Sequence, residues 1–137
     1  MALQVTHNEI LFGVGDKVKV IQKIKERDNK IRLQTFEGMV IGIKGKEQGK
    51  SFTVRRIGTQ QIGIERIFPL NSPLIDKIEV TRKGTAGVRS AKLYYTRNKS
   101  RREIDKIYMR TAKKNQPQIK AKKKKKVSLK KSPKKSK

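Results

Sequence analysis

"GKEQGKSFTVRRI", residues 45–57, decides the fold. Its first half resembles the glycine-lysine loop that cradles nucleotide phosphates, G-x-x-x-x-G-K-[ST]. Its second half alternates Phe52 and Val54 with Thr53 and Arg55, the period of a half-buried strand. The two readings exclude each other, because a phosphate loop must open a helix whose N-terminus faces the phosphates. Counting back from Gly49-Lys50-Ser51, the required first glycine falls at position 44, which is Lys44. Gly45 leaves the amide cradle too short. The stretch is therefore expected to be a hairpin connection between two strands, with Lys44, Lys46 and Lys50 at its tip.

The flanking sequence keeps the same period. Residues 16–26 alternate at Val18 and Val20 and again near Ile24, and 30–43 form a longer strand candidate in which Glu37-Gly38 marks a bulge or bend. Ile62 and Ile64 alternate within 61–68, and Ile78 and Val80 within 76–84. "PLNSP" (69–73) is a turn whose prolines bar a continuous ladder. A last strand is expected over 88–97. Short strands with turn signals every ~8–12 residues predict a small sandwich or closed barrel. The fold class is mainly β, a small barrel over 13–97 that buries one side of each strand.

A helix is expected over 98–114, with Ile104, Ile107, Tyr108 and Thr111 on one stripe. Ser100 and Glu103 have the spacing of a capping box. The other faces carry Arg101, Arg102, Lys106, Arg110, Lys113 and Lys114. Residues 1–12 are read as a loose extension holding the single histidine, His7, as a surface residue.

Composition sets the partners. The 137 residues hold 37 Lys and Arg against 11 Asp and Glu, a net charge of +26, with 34% hydrophobic residues. A core that small and a charge that large point to a polyanion, nucleic acid before an anionic membrane. Residues 113–137 hold thirteen lysines and no acid. That segment has too little to bury to offset the entropy of ordering, so 115–137 is expected to be a disordered lysine-rich arm that orders along phosphates. The chain has no cysteine, hence no disulfide framework or thiolate metal site. No apolar run approaches the ~20 residues of a membrane span, and no secretory leader is recognised. A cytosolic location, or a compartment that makes its own proteins, is expected. No carboxylate pair is spaced for acid–base work, and His7 stands without triad partners. No enzyme activity, cofactor or metal is expected.

RNA is favoured where cations and aromatics mix. "SAKLYYTRNKSRR" (90–102) combines Lys92, Tyr94, Tyr95, Arg97, Lys99, Arg101 and Arg102. Arginine and lysine hold phosphates, and tyrosine can stack on an unpaired base. On a strand, adjacent tyrosines point to opposite faces, so one is expected in the core and one free. The lysine arm alone would also fit a free nucleic-acid chaperone or nucleoid-type protein.

Several ordered motifs then resemble one family. "FEG" (36–38), "SFTVRRI" (51–57), "GIERIFPLNSP" (63–73) and "AKLYY" (91–95) stand in the order found in the bacterial-type ribosomal protein nineteen of the large subunit. The resemblance covers roughly residues 11–100. It implies an SH3-like β-barrel that binds large-subunit rRNA at the subunit interface, supports bridges to small-subunit rRNA, and lies near the aminoacyl-tRNA site. Matched to this chain, it implies RNA contacts at Arg55, Arg56, Arg66, Arg82, Lys83, Arg89, Lys92 and Arg97. The implied partners are the two rRNAs and neighbouring ribosomal proteins, with no membrane and no second copy of the chain. The implied place is a cytoplasmic ribosome, or an organellar one. The chain departs from the family in four places. About a dozen residues precede "GVGD", so the family's N-terminal helix is expected to be short or lost; "TRKGTAGVR" (81–89) reads as enlarged by two residues; "TRNKSRREIDKIYMR" (96–110) replaces the usual segment after "AKLYY"; and the lysine tail runs past the usual end.

Overall fold

The computed structural model describes residues 3–26 and 30–115. Most of the lysine-rich arm lies outside the described residues. Two short strands come first, β1 (Gln4–His7) and β2 (Ile10–Gly13), paired antiparallel with Val5 opposite Phe12 and His7 opposite Ile10. The two residues between them, Asn8 and Glu9, have φ of 43° and 67°. Two left-handed residues are what a tight hairpin turn requires. The segment expected to be loose is thus a hairpin, and it carries Val5 and Phe12 into the core. His7 is only partly exposed, and its Nε2 is enclosed without a hydrogen-bond partner among the described residues.

Five strands form the main sheet: β3 (Lys17–Lys25), β4 (Ile31–Lys44), β5 (Ser51–Ile57), β6 (Gly63–Pro69) and β7 (Ile75–Arg82). Their order is β6-β5-β4-β3-β7, with every neighbour antiparallel. The strands between 16 and 82 fall where the alternation put them. Val18, Val20, Phe52, Val54 and Ile78 are buried. Phe68 of β6 and Ile75 and Ile78 of β7 belong to one apolar cluster although their strands are the two ends of the sheet. The sheet therefore curls around that core. Phe52 stacks on Phe68 at 5.4 Å and meets Phe12 edge-on at 5.1 Å.

β4 does bulge, but not at Glu37-Gly38. Its pairing with β5 skips a residue between Val40 and Gly42, at Ile41. Gly38 is required for another reason, since a Cβ there would collide with the Arg55 carbonyl. The bulge has a receiver, because the Leu93 amide donates to the Ile41 carbonyl at 2.7 Å.

That contact explains why 88–97 is not a strand. The chain crosses over the bent end of β4, buries Leu93 completely, and continues as a 3₁₀ turn, Tyr94–Asn98. The Thr96 hydroxyl donates back to the Leu93 carbonyl at 2.6 Å, which closes the turn in place of a ladder. Successive residues of a 3₁₀ turn diverge by about a third of a turn. Tyr94 accordingly packs against the core while Tyr95 is 45% exposed. The separation of the two tyrosines holds, but it comes from a turn and not from a pleat.

One helix follows, α1 (Arg101–Asn115), which buries Ile107, Tyr108 and Thr111 and packs Ile104 against the core. Glu103 accepts the Ser100 amide at 3.3 Å, one half of the capping box. The Glu103 amide bonds to the Ser100 carbonyl rather than to its hydroxyl. Asp16, almost fully buried, joins distant parts of the chain. Its carboxylate accepts the amides of Gly13, Gly84 and Thr85 and the Thr85 hydroxyl, at 2.6–2.9 Å. Gly84 and Thr85, from the 81–89 segment, thus supply three of the four donors that satisfy this buried carboxylate. No described helix is long and apolar enough to cross a membrane.

Candidate nucleic-acid interface

The connection at 45–51 is a hairpin loop. Gly45 has a φ of 89°, a single 3₁₀ turn (Glu47–Gly49) follows, and β5 begins at Ser51. No helix follows the glycine-lysine pair, so no amide cradle faces a phosphate. Lys44 and Lys46 are exposed and Lys50 is partly buried. The Lys44 ammonium lies 5.9 Å from the Tyr94 ring centre.

Across the Tyr94 ring, cations become structural. The Arg97 guanidinium sits 4.8 Å from the same ring centre and donates two hydrogen bonds of 2.8 Å to the Glu65 carboxylate. Arg55 donates a third, at 2.9 Å. Arg55 and Glu65 are register partners on β5 and β6, so the sheet itself sets their approach. Their side chains are only 14% and 23% exposed. The hydrogen bond from Arg97 first, then that from Arg55, holds the Glu65 carboxyl below its ordinary range, against burial, which pushes it up.

The next residue along each strand behaves differently. The Arg56 and Arg66 guanidiniums lie 4.9 Å and 5.4 Å from the centre of the Phe36 ring. Arg66 also lies 5.5 Å from the Phe68 ring centre and reaches the Gln34 side-chain oxygen at 3.4 Å. Neither arginine has a carboxylate partner among the described residues. Aromatic faces fix their position without neutralising them, so each guanidinium keeps its charge.

Around α1 the cations divide again. Arg82 covers the Tyr108 ring at 4.1 Å and lies 3.7 Å from Asp105. Burial pushes the Tyr108 phenol up to about 12, with Arg82 working against it. Lys83 donates to the Leu11 carbonyl at 2.9 Å and Lys114 to the Ala86 carbonyl at 2.7 Å. Lys99 pairs loosely with Glu103 at 3.5 Å. Arg89, Arg101, Arg102 and Lys113 are exposed, and Lys92 and Arg110 partly buried, with no ion-pair partner among the described residues. Of the residues singled out in sequence, Arg55, Arg82, Lys83, Arg97, Lys99 and Lys114 are engaged within the fold, Tyr94 packs against the core, and Tyr95 is exposed. Glu65 was not singled out, and only its register opposite Arg55 could have shown it.

Among the described residues no group of three or more His, Asp and Glu could hold a metal. A curled β-sheet, cations positioned on aromatics and a helix flanked by further cations describe a class, the small basic β-protein with a surface suited to polyanions. The profile of the family described as Ribosomal protein L19 matches residues 2–122. The large ribosomal subunit protein bL19 of Thermosipho melanesiensis is 60% identical over 87 residues, 64% of this chain and 73% of the relative. The protein of the same name from Persephonella marina is 58% identical over 88 residues, 64% of each chain. That of Borreliella afzelii is 54% identical over 89 residues, 65% of this chain and 71% of the relative. The chain belongs to the ribosomal protein L19 family. It is a ribosomal protein of bacterial type, a structural protein of the cytoplasmic ribosome and not an enzyme.

Proposed function

We propose that this chain is a structural constituent of the large ribosomal subunit that binds rRNA at the subunit interface and supports bridges to small-subunit rRNA near the aminoacyl-tRNA site. The observation that carries the RNA reading is the pair of guanidiniums, Arg56 and Arg66, held over Phe36 and Phe68 with no carboxylate beside them among the described residues. The names of the relatives support the subunit, and the ordered motifs support the interface position.

The five-stranded sheet is read as an SH3-like barrel, supported by end strands that share one core. In this reading 13–97 is the barrel, 98–114 the basic helix and 115–137 an arm along RNA. The free cations of the loop at 45–51, of β5–β6 and of α1 neutralise phosphates. Each neutralised phosphate releases counterions, so affinity falls steeply with salt. Exposed Ile31 and Leu33 on the β3–β4 hairpin offer apolar surface to neighbouring ribosomal proteins.

The test is cosedimentation. The chain should track with large subunits through a high-salt wash, and tracking with bulk nucleic acid instead would favour a free chaperone. Deleting 115–137 should leave the barrel folded and weaken retention on the subunit. An unchanged subunit profile after that deletion would remove the arm from the mechanism.

A further inference from the structure

Helix α1 does not close completely on the segment before it. A groove of about 290 Å³ runs between them, with Arg89 and Tyr95 on the side of that segment and Lys106 and Arg110 on the helix. Glu103, the acid in the lining, is already committed. It accepts the Ser100 amide, which with Lys99 holds its carboxyl below the ordinary range. Lys99, also in the lining, pairs with Glu103, and the remaining charged walls, Arg89, Lys106 and Arg110, have no carboxylate at ion-pair distance among the described residues. The Nε of Arg110 is enclosed and lacks an acceptor among the described residues, so this guanidinium is held in place with part of its donor capacity unspent.

Tyr95 gives the groove a second chemistry. It is 45% exposed where its neighbour Tyr94 packs inward. An exposed ring beside three cations that have no carboxylate partner among the described residues offers a stacking face and a phosphate site together. A paired RNA helix cannot use that face, because its bases are stacked on each other. The volume is at the small end for a ligand site, enough for one residue of a chain and not for a helix. An acidic peptide would satisfy the cations and leave the ring without a partner.

We propose that this groove takes a single unpaired nucleotide of RNA, its base against Tyr95 and its phosphate on Arg89, Lys106 and Arg110. The proposal rests on the RNA-binding reading above and narrows it to one element of RNA structure. It also gives the two adjacent tyrosines distinct tasks, Tyr94 carrying Lys44 and Arg97 from within the fold and Tyr95 facing the ligand.

The experiment uses the full chain and two RNA hairpins, one fully paired and one identical but for a single bulged 2-aminopurine nucleotide. At a salt concentration of about 0.15 M, the bulged hairpin should bind roughly tenfold more tightly, and its fluorescence should fall as the base stacks. Tyr95→Ala should remove that preference and leave affinity for the paired hairpin unchanged, and Tyr95→Phe should retain it. Arg89→Gln should weaken the bulged hairpin more than the paired one. Equal affinity for the two hairpins, or a Tyr95→Ala loss shared by both, overturns the groove while salt-dependent binding still upholds the RNA reading. Absence of salt-dependent binding to either hairpin overturns both.

Discussion

Arg55 and Arg56 are adjacent on β5, and Glu65 and Arg66 adjacent on β6, yet the two faces of this hairpin do different things. On one face Arg55 is paired with Glu65 in register and shares that carboxylate with Arg97. On the other, Arg56 and Arg66 rest on Phe36 and Phe68 without an acid among the described residues. The pleat alternates side chains between faces, so one charge of "RR" is spent on an internal ion pair and the other rests on an aromatic ring. In a chain of net charge +26 acids are scarce, and where they stand decides which cations are spent internally. Counting cations therefore overstates the binding surface, and counting those without a carboxylate comes closer to it.

The largest effect that separates the two faces should come from Glu65→Gln. It strands a mostly buried Arg55, and removing one partner of such a pair costs several kcal/mol when fully buried. Arg97 is half exposed and its share is screened, so a loss of about 2 kcal/mol is expected in urea unfolding. The pH dependence has a definite sign. A carboxyl held below its ordinary value of 4.5 contributes stability above that pH and loses it as pH falls through the lowered value. The wild type should lose stability on acidification in that window, and the variant should lose less. RNA affinity should not fall. A variant with unchanged stability, or one with weakened RNA binding, would place Glu65 outside the architecture.

A smaller difference should appear in RNA binding. Arg66→Ala and Arg56→Ala should each lower affinity, with the slope of log K against log salt reduced by about 0.7–0.9 per lost phosphate contact. The stability cost should be only about 0.5–1 kcal/mol, that of a cation on an aromatic face. Arg55→Ala should show the reverse, a larger loss of stability and an unaltered salt slope. If Arg55→Ala and Arg56→Ala changed the slope alike, the division between the two faces would fail.

The same residues show what could be read before the structure. Val18 and Val20, Phe52 and Val54, and Ile78 with Val80 announce strands because each sheet face needs apolar residues at every second position. The stripe of Ile104, Ile107, Tyr108 and Thr111 announces α1 for the equivalent helical reason. The β1–β2 hairpin escaped because its strands are four residues each and its turn depends on left-handed Asn8 and Glu9, of which only the asparagine is a usual signal. The segment 88–97 looked like a strand because it mixes apolar and basic residues, but Leu93 is held by the bulge at Ile41, a feature of a strand far away in sequence. Asp16 lies in an ordinary-looking turn, while its partners Gly84 and Thr85 are 68 and 69 residues away. Of the interface, residue types were legible and availability was not, since availability depends on whether an acid reaches the cation through a pairing register.

Arg82 on Tyr108 is an intermediate case, an arginine on an aromatic ring with an acid 3.7 Å away, and it yields the smallest effect at neutral pH. Tyr108→Phe keeps the ring under Arg82 and removes only the hydroxyl, so stability near pH 7 should change by less than about 0.5 kcal/mol. The difference belongs at alkaline pH. In the folded chain burial pushes the phenol from 10.0 up to about 12, so it stays neutral where an unfolded chain has already ionised. A group whose pKa is raised by folding contributes its stability below the unfolded value and loses it as pH rises through the folded one. Wild type should therefore lose stability between pH 10 and 12 faster than the Phe variant, whose lysines and remaining tyrosines titrate as before. Unfolding curves measured for both proteins across that window give the difference directly. Parallel loss in the two would mean that the phenol ionises freely in the folded chain, and that Arg82 and the core do not enclose it.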